Sequence, residues 1–252
     1  MMTVQMFLLI FLRITSFVVI CPVFSNRGVP QLAKVVLTAC LTVGVFPFVD
    51  IPEMEVTNLA LILMSLKEVL LGMTMGYISQ LVFTAIEMAG QMIDFQVGFS
   101  MGQAYDPSFQ TMSSQFGKLY YWIAMAVVFI LDLHHLLIKG LVLSFTLVPL
   151  GSFLLQSKDI EGIVTLFGKS FEMALNLAAP MIIAVLVIDL TLGIISRSIP
   201  QLNVLMLGLP IKTMVSFAIF LVLAPNVMNF LGKQMPENLG FLLKFIRSIP
   251  NR

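Results

Sequence analysis

Long apolar runs separated by short polar breaks set the pattern of this chain. They cover residues 6–24, 35–49, 59–90, 119–138, 140–155, 177–196 and 204–231. A transmembrane helix takes about 20 apolar residues, and several of these runs reach that length. Residues 6–24 read as a first helix and 59–90 as one long helix. Residues 177–196 and 204–231 read as two apolar helices joined by a tight polar turn, a helical hairpin. Residues 156–176 read as a mixed amphipathic connection, and 232–252 as a basic tail with Lys233, Lys244, Arg247 and Arg252. Pro47, Pro149, Gly151, Pro210 and Pro225 interrupt the runs. The expected fold class is therefore all-α, of integral membrane type, built from helical hairpins with broken helices. Backbone groups freed at such breaks are tolerated in a protein-lined interior but not against lipid.

One polar segment departs from the pattern. Residues 98–118, GFSMGQAYDPSFQTMSSQFGK, interrupt the oil with Ser, Gln, Gly and the Asp106–Pro107 step. Phe99, Met101, Tyr105, Phe109, Met112 and Phe116 are spaced through it, which a flexible linker does not need. A loop of this length with large apolar side chains reads as functional, held inside a protein-lined cavity. Gly98, Gly102 and Gly117 give it freedom to move.

Composition sharpens the class. Hydrophobic residues make up 59% of the chain and charged residues 11%, with mean hydropathy +1.01; a soluble globule carries about a quarter charged residues. The net charge of +1 gives nucleic acid nothing to bind. Residues 1–24 lack a basic start and a small-residue cleavage site, so they read as a retained helix. Cys21 and Cys40 match no metal or redox spacing and read as buried free thiols. Counting basic loops puts the Arg27/Lys34 connection in the cytoplasm and the acidic 50–58 segment outside. The count then fails, because the basic 197–212 turn and the basic tail flank a single run.

Charges inside the runs mark interior or interface positions, since lipid penalises them by about 2.5–3.5 kcal/mol each. Among them are Arg13, Lys67, Glu68, Asp132 and Asp189. Lys67 and Glu68 point about 100° apart on a helix, so each needs its own partner. Gly72 and Gly76 form a small-xxx-small step that admits a close helix. Glu87, Gln91 and Asp94 share one helical face leading into the polar loop. Asp132, His134 and His135 suggest a relay or metal, but two adjacent histidines are not expected to reach one ion from a helix. Asp132 is expected instead to make a local contact with Lys139. No metal, cofactor or catalytic constellation is expected, and the chain does not read as an enzyme.

Four stretches resemble the flagellar biosynthetic FliR family. Residues 11–34 carry Arg13, Pro22, Phe24, Val29, Pro30 and Lys34 in the family's opening pattern; residues 67–76 match its basic-Glu-x-x-x-Gly-x-x-x-Gly step. Ala89, Gly90, Gln96, Gly98, Asp106 and Pro107 match its A-G, Q-x-G and D-P signature. Residues 192–212, LGIISRSIPQLNVLMLGLPIK, match L-G-x-x-x-R-x-x-P-Q-x-N-V followed by G-x-P-x-K. Leu133 departs from the family's D-G-H, where Gly is usual.

The resemblance implies a core subunit of the type III protein export gate in the bacterial inner membrane, within the flagellar basal body. It implies partners of FliP, FliQ and FlhB type, with unfolded export substrates in transit. Residues 1–176 would be FliP-like, 177–231 a FliQ-like hairpin, and 98–117 a loop plugging the closed channel. Arg13, Lys67, Glu68, Gly72, Gly76, Asp132 and Asp189 would serve as buried charges or subunit contacts. Arg197, Pro200, Gln201, Asn203 and Lys212 would face the cytoplasmic entrance. Two other readings stay open on the residues alone: a small-molecule or ion transporter with broken helices, and a scaffold with no conduction path.

Overall fold

A computed structural model describes residues 2–26, 28–49, 57–99, 114–154, 157–198 and 204–248. Among these the structure is helical, with no strand. The order is α1 (Met2–Ile20), α2 (Pro22–Ser25), α3 (Gln31–Val45) with a 3-10 turn at Phe46–Phe48, α4 (Asn58–Val97), α5 (Gln115–Ile130), α6 (Leu133–Leu147), α7 (Ser157–Ser198) and α8 (Val204–Ser248). Proline sets several boundaries. Cys21 is extended ahead of Pro22, as a residue before proline prefers, and Pro30 stands just before α3.

Three boundaries differ from expectation. The 119–138 run is broken: α5 and α6 meet at a 72° bend, where Asp132 takes the left-handed conformation at φ 54°. Residues 157–176 form the first half of α7 rather than a connection. Their Lys, Glu, Leu and Met side chains favour helix, so polarity there marks wetting and not a break. α8 runs unbroken through Pro210 and Pro225 and absorbs the tail as far as Ser248. Pro180 likewise lies inside α7. Each such proline removes one helical bond, which long membrane helices tolerate when neighbours satisfy the freed group.

Among the described residues five helices are long and apolar enough to cross a membrane, or six spans if the bent pair counts as one. α4, α7 and α8 have 40, 42 and 45 residues. At about 1.5 Å per residue each is at least about 60 Å long, twice the roughly 30 Å hydrocarbon core. Lipid therefore surrounds no more than part of each. Within the chain, 61% of the apolar stretch of α4 is buried, against 17% for α7 and 22% for α8. α4 thus buries most of its apolar stretch, and the other two leave broad apolar faces outward.

The chain divides into two compact units that interleave in sequence. One comprises residues 1–82, 128–168 and 235–252; the other comprises 83–127 and 169–234. The divisions expected at 176/177 and 231/232 fall inside α7 and α8.

The first unit is organised on a buried ion pair between Arg13 of α1 and Glu68 of α4, both fully buried. The Arg13 guanidinium also donates to the Ser144 carbonyl (3.0 Å), the Ser144 hydroxyl (3.3 Å) and the Val148 carbonyl (3.1 Å), and lies 4.3 Å from the centre of the Phe145 ring. The second Glu68 oxygen accepts the Gly151 N–H at 2.7 Å. Lys67 turns away and donates to the Gly151 carbonyl at 3.1 Å. Lys67 and Glu68 thus have separate bonds, as their angular separation requires. Gly151 sits at φ +75°, so Pro149 and Gly151 form a real break after α6. α1 is the helix that approaches at Gly72 and Gly76. A Cβ on Gly72 would overlap the Ser16 hydroxyl and the Arg13 carbonyl, and one on Gly76 would lie 2.9 Å from Ile20 Cβ.

Candidate functional site

The second unit holds both ends of the 98–117 loop. Met101, Gly102, Tyr105, Asp106, Pro107, Phe109 and Met112 lie outside the described residues; Gly98, Phe99, Phe116 and Gly117 lie within them. α4 ends in the way glycine permits. Gly98 takes φ +102°, and the Asp94 carbonyl accepts the N–H groups of both Gly98 and Phe99 at 3.0 Å. The Asp94 carboxylate then accepts the Phe116 N–H at 3.2 Å. One residue of α4 therefore ties the chain leaving the helix to the chain returning from the loop. Ser114 caps α5, its hydroxyl accepting the Gly117 N–H at 2.7 Å.

Glycine and aromatic packing close the same junction. A Cβ on Gly90 of α4 would overlap the backbone of Phe116 and Gly117, so the two helices cross with main chains in contact. The Phe99 and Phe116 rings are 6.4 Å apart. Phe116 is fully buried and packs against Phe217 at 5.1 Å and Phe220 at 5.6 Å, both from α8. Tyr120 meets Phe220 at 5.6 Å. Beside the junction lies a hollow of about 190 Å³ lined by Glu87, Gln91, Ser114, Gly117, Lys118 and Tyr121. Of the expected polar face, Glu87 and Gln91 line this hollow while Asp94 turns into the loop root.

Two intramembrane charges also converge here. Lys212 of α8 forms an ion pair with Asp189 of α7, and the Gln96 side chain donates to the other Asp189 oxygen at 3.2 Å. Lys212 therefore lies within the hairpin's own packing. Pro200, Gln201 and Asn203 fall outside the described residues, and Arg197 is exposed in the last turn of α7.

The first unit corrects two expectations. Asp132 approaches His135 Nδ1 at 3.5 Å and His134 Nε2 at 4.0 Å rather than Lys139. One ligand atom from each of the three lies within 4.8 Å of the others. Adjacent histidines converge because side chains at a helix start lean back toward its N-terminus, bringing both rings over Asp132. The second correction concerns Cys40, which is exposed on α3 whereas Cys21 is buried.

Sequence reasoning missed Ser144, Phe217 and Phe220, and read Gly151 only as a break. Gly151 acts through its main-chain groups and Ser144 through its carbonyl as well as its hydroxyl, and residue type does not announce a main-chain role. The two phenylalanines sit in an apolar run where nothing separates them from lipid-facing neighbours. Phe116 and Gly117, expected in the loop, lie instead in the first turn of α5, with Gly117 against Gly90 of α4 rather than free to move; Gly90 did carry a signal, since glycine inside a helix often marks a close approach.

Comparison with known proteins gives the lineage. The family model described as bacterial export proteins, family 1, matches residues 4–237. The flagellar biosynthetic protein FliR of Bacillus subtilis (strain 168) is 34% identical over 220 residues, covering 86% of this chain and 85% of that protein. FliR of Escherichia coli (strain K12) is 26% identical over 239 residues, 95% and 92% of the two chains. The Yop proteins translocation protein T of Yersinia pestis is 29% identical over 229 residues, 88% and 87% of the two chains. With nearly its whole length matched, this chain belongs to family 1 of the bacterial export proteins.

Proposed function

We propose that this chain is a core subunit of a type III protein export gate in the bacterial inner membrane, and that residues 98–117 plug its closed channel. Relatives named for flagellar biosynthesis and for Yop protein translocation support the export role. In this reading residues 1–176 are FliP-like and 177–231 a FliQ-like hairpin. The outward apolar faces of α7 and α8 pack on FliP-type and FliQ-type subunits, and an FlhB-type protein docks near Arg197, Pro200, Gln201 and Asn203.

The observation that carries the plug is the double tie at Asp94, whose carbonyl holds Gly98 and Phe99 while its carboxylate holds Phe116. The loop is a closed excursion from one anchored point. Its Phe and Met side chains form an apolar stopper that excludes ions, adapts to a passing polypeptide and dewets a constriction. Exposed charge at the Asp132 bend suits a contact with a neighbouring subunit. Deleting residues 101–113 tests the plug. Ion leak through the assembled complex should rise while assembly is preserved. Unchanged leak with normal assembly removes the plug role.

A further inference from the structure

Resting on the loop reading above, we infer that Asp189 and Lys212 are positioning residues that tie the root of the loop to the α7–α8 hairpin, so that hairpin position sets how firmly the loop is held. Asp189 is the only charged residue in the 177–196 apolar run, and Lys212 the only one in 204–231. Pairing the two neutralises charges that lipid disfavours, and a simple ion pair would suffice for that. The addition is Gln96, two residues before the Gly98 turn. It donates to one Asp189 oxygen while Lys212 takes the other.

A second contact set reaches the root from the same helix. A Cβ on Gly98 would lie 3.0 Å from Leu209 Cδ1, and Phe116 packs on Phe217 and Phe220. Leu209, Phe217 and Phe220 fall within about 80° of one another around α8, and Lys212 about 60° to the other side of Leu209. Both ends of the loop therefore rest on one side of α8, with one charge-assisted clamp among apolar contacts. Such bonds are the stronger and more directional ones. A shift of α8 relative to α4 has to break that clamp before the root can loosen.

The test is hydrogen exchange by mass spectrometry on the full-length chain in lipid nanodiscs. It compares root peptides spanning 92–99 and 114–120 with first-unit peptides spanning 6–20. Asp189→Asn and Lys212→Met should each raise root exchange about tenfold, the factor set by about 1.4 kcal/mol, and leave 6–20 unchanged. Gln96→Leu, which spares the ion pair, should loosen the root without loosening α7. Exchanging the pair, Asp189→Lys with Lys212→Asp, should restore protection, because the Gln96 carboxamide can turn its oxygen to accept from lysine. Unchanged root exchange in folded variants overturns the inference, as does a rise spread evenly along α7 and α8 or a swap that restores nothing. Leak separates this inference from the plug itself. Looser roots with unchanged leak keep the positioning role and remove the plug.

Discussion

Glu68→Ala strips Arg13 of its counter-charge at the centre of the first unit. Both side chains are fully buried, so the guanidinium cannot turn to water. Breaking a buried pair by removing one partner costs about 3–5 kcal/mol, and the Gly151 N–H, which loses its 2.7 Å acceptor, adds about 1–3 kcal/mol. Contacts of Arg13 with Ser144, Val148 and the Phe145 ring survive and offset part of this. The net expectation is about 4 kcal/mol. Arg13→Met with Glu68→Leu removes both charges and should cost far less, about 1–2 kcal/mol, chiefly the unpaired Gly151 N–H. The Ser144 carbonyl keeps the Val148 N–H at 2.9 Å in that double variant. Thermal unfolding of the purified chain in one detergent, followed by far-ultraviolet circular dichroism, reads both. At about 2–4 °C per kcal/mol for a chain of this size, Glu68→Ala should lower Tm by about 8–16 °C. A loss within about 1 kcal/mol, the scale of an exposed pair, refutes the buried-charge reasoning. So does a double variant that falls as far as the single.

Two smaller perturbations follow from packing. Gly90→Ala places a methyl group against the Phe116 and Gly117 backbone and should cost about 1–3 kcal/mol, whereas Gly162→Ala in α7, with nothing within 4 Å of the added carbon, should stabilise by up to about 1 kcal/mol; Tm shifts of opposite sign check the pair. Cys40 should react with a maleimide in the isolated chain and be protected when FliP-type subunits are co-expressed, while Cys21, buried, stays unlabelled; mass spectrometry of the adducts decides.

The helices were legible because membrane-length apolar runs are a strong one-dimensional signal. So were specific local events. Gly72 and Gly76 announced a close helix, and adjacent Lys67 and Glu68 announced separate bonds. Gly98, expected to give the loop freedom, instead ends α4 at a positive φ. Pairings were not legible. Arg13 is bound to Glu68, 55 positions away, and nothing in either run singles out the other over Asp132 or Asp189. Chain breaks misled in both directions. Pro210 and Pro225 suggested ends inside α8, where a long helix carries the lost bonds. The true break at Asp132 has neither Gly nor Pro and depends on a left-handed aspartate. Polar residues 157–176 were mistaken for a connection because wetting and loss of helix leave the same compositional trace.

The most direct measurement places a photoreactive amino acid at Phe109, in the assembled apparatus, with an export substrate stalled in transit. Val222, 77% exposed on α8, serves as the reference position. A channel-sealing loop displaced by its cargo predicts substrate adducts from position 109 that require stalling, and none from 222. Absence of adducts at 109 while cargo is demonstrably stalled, or equal adducts at the two positions, contradicts the account.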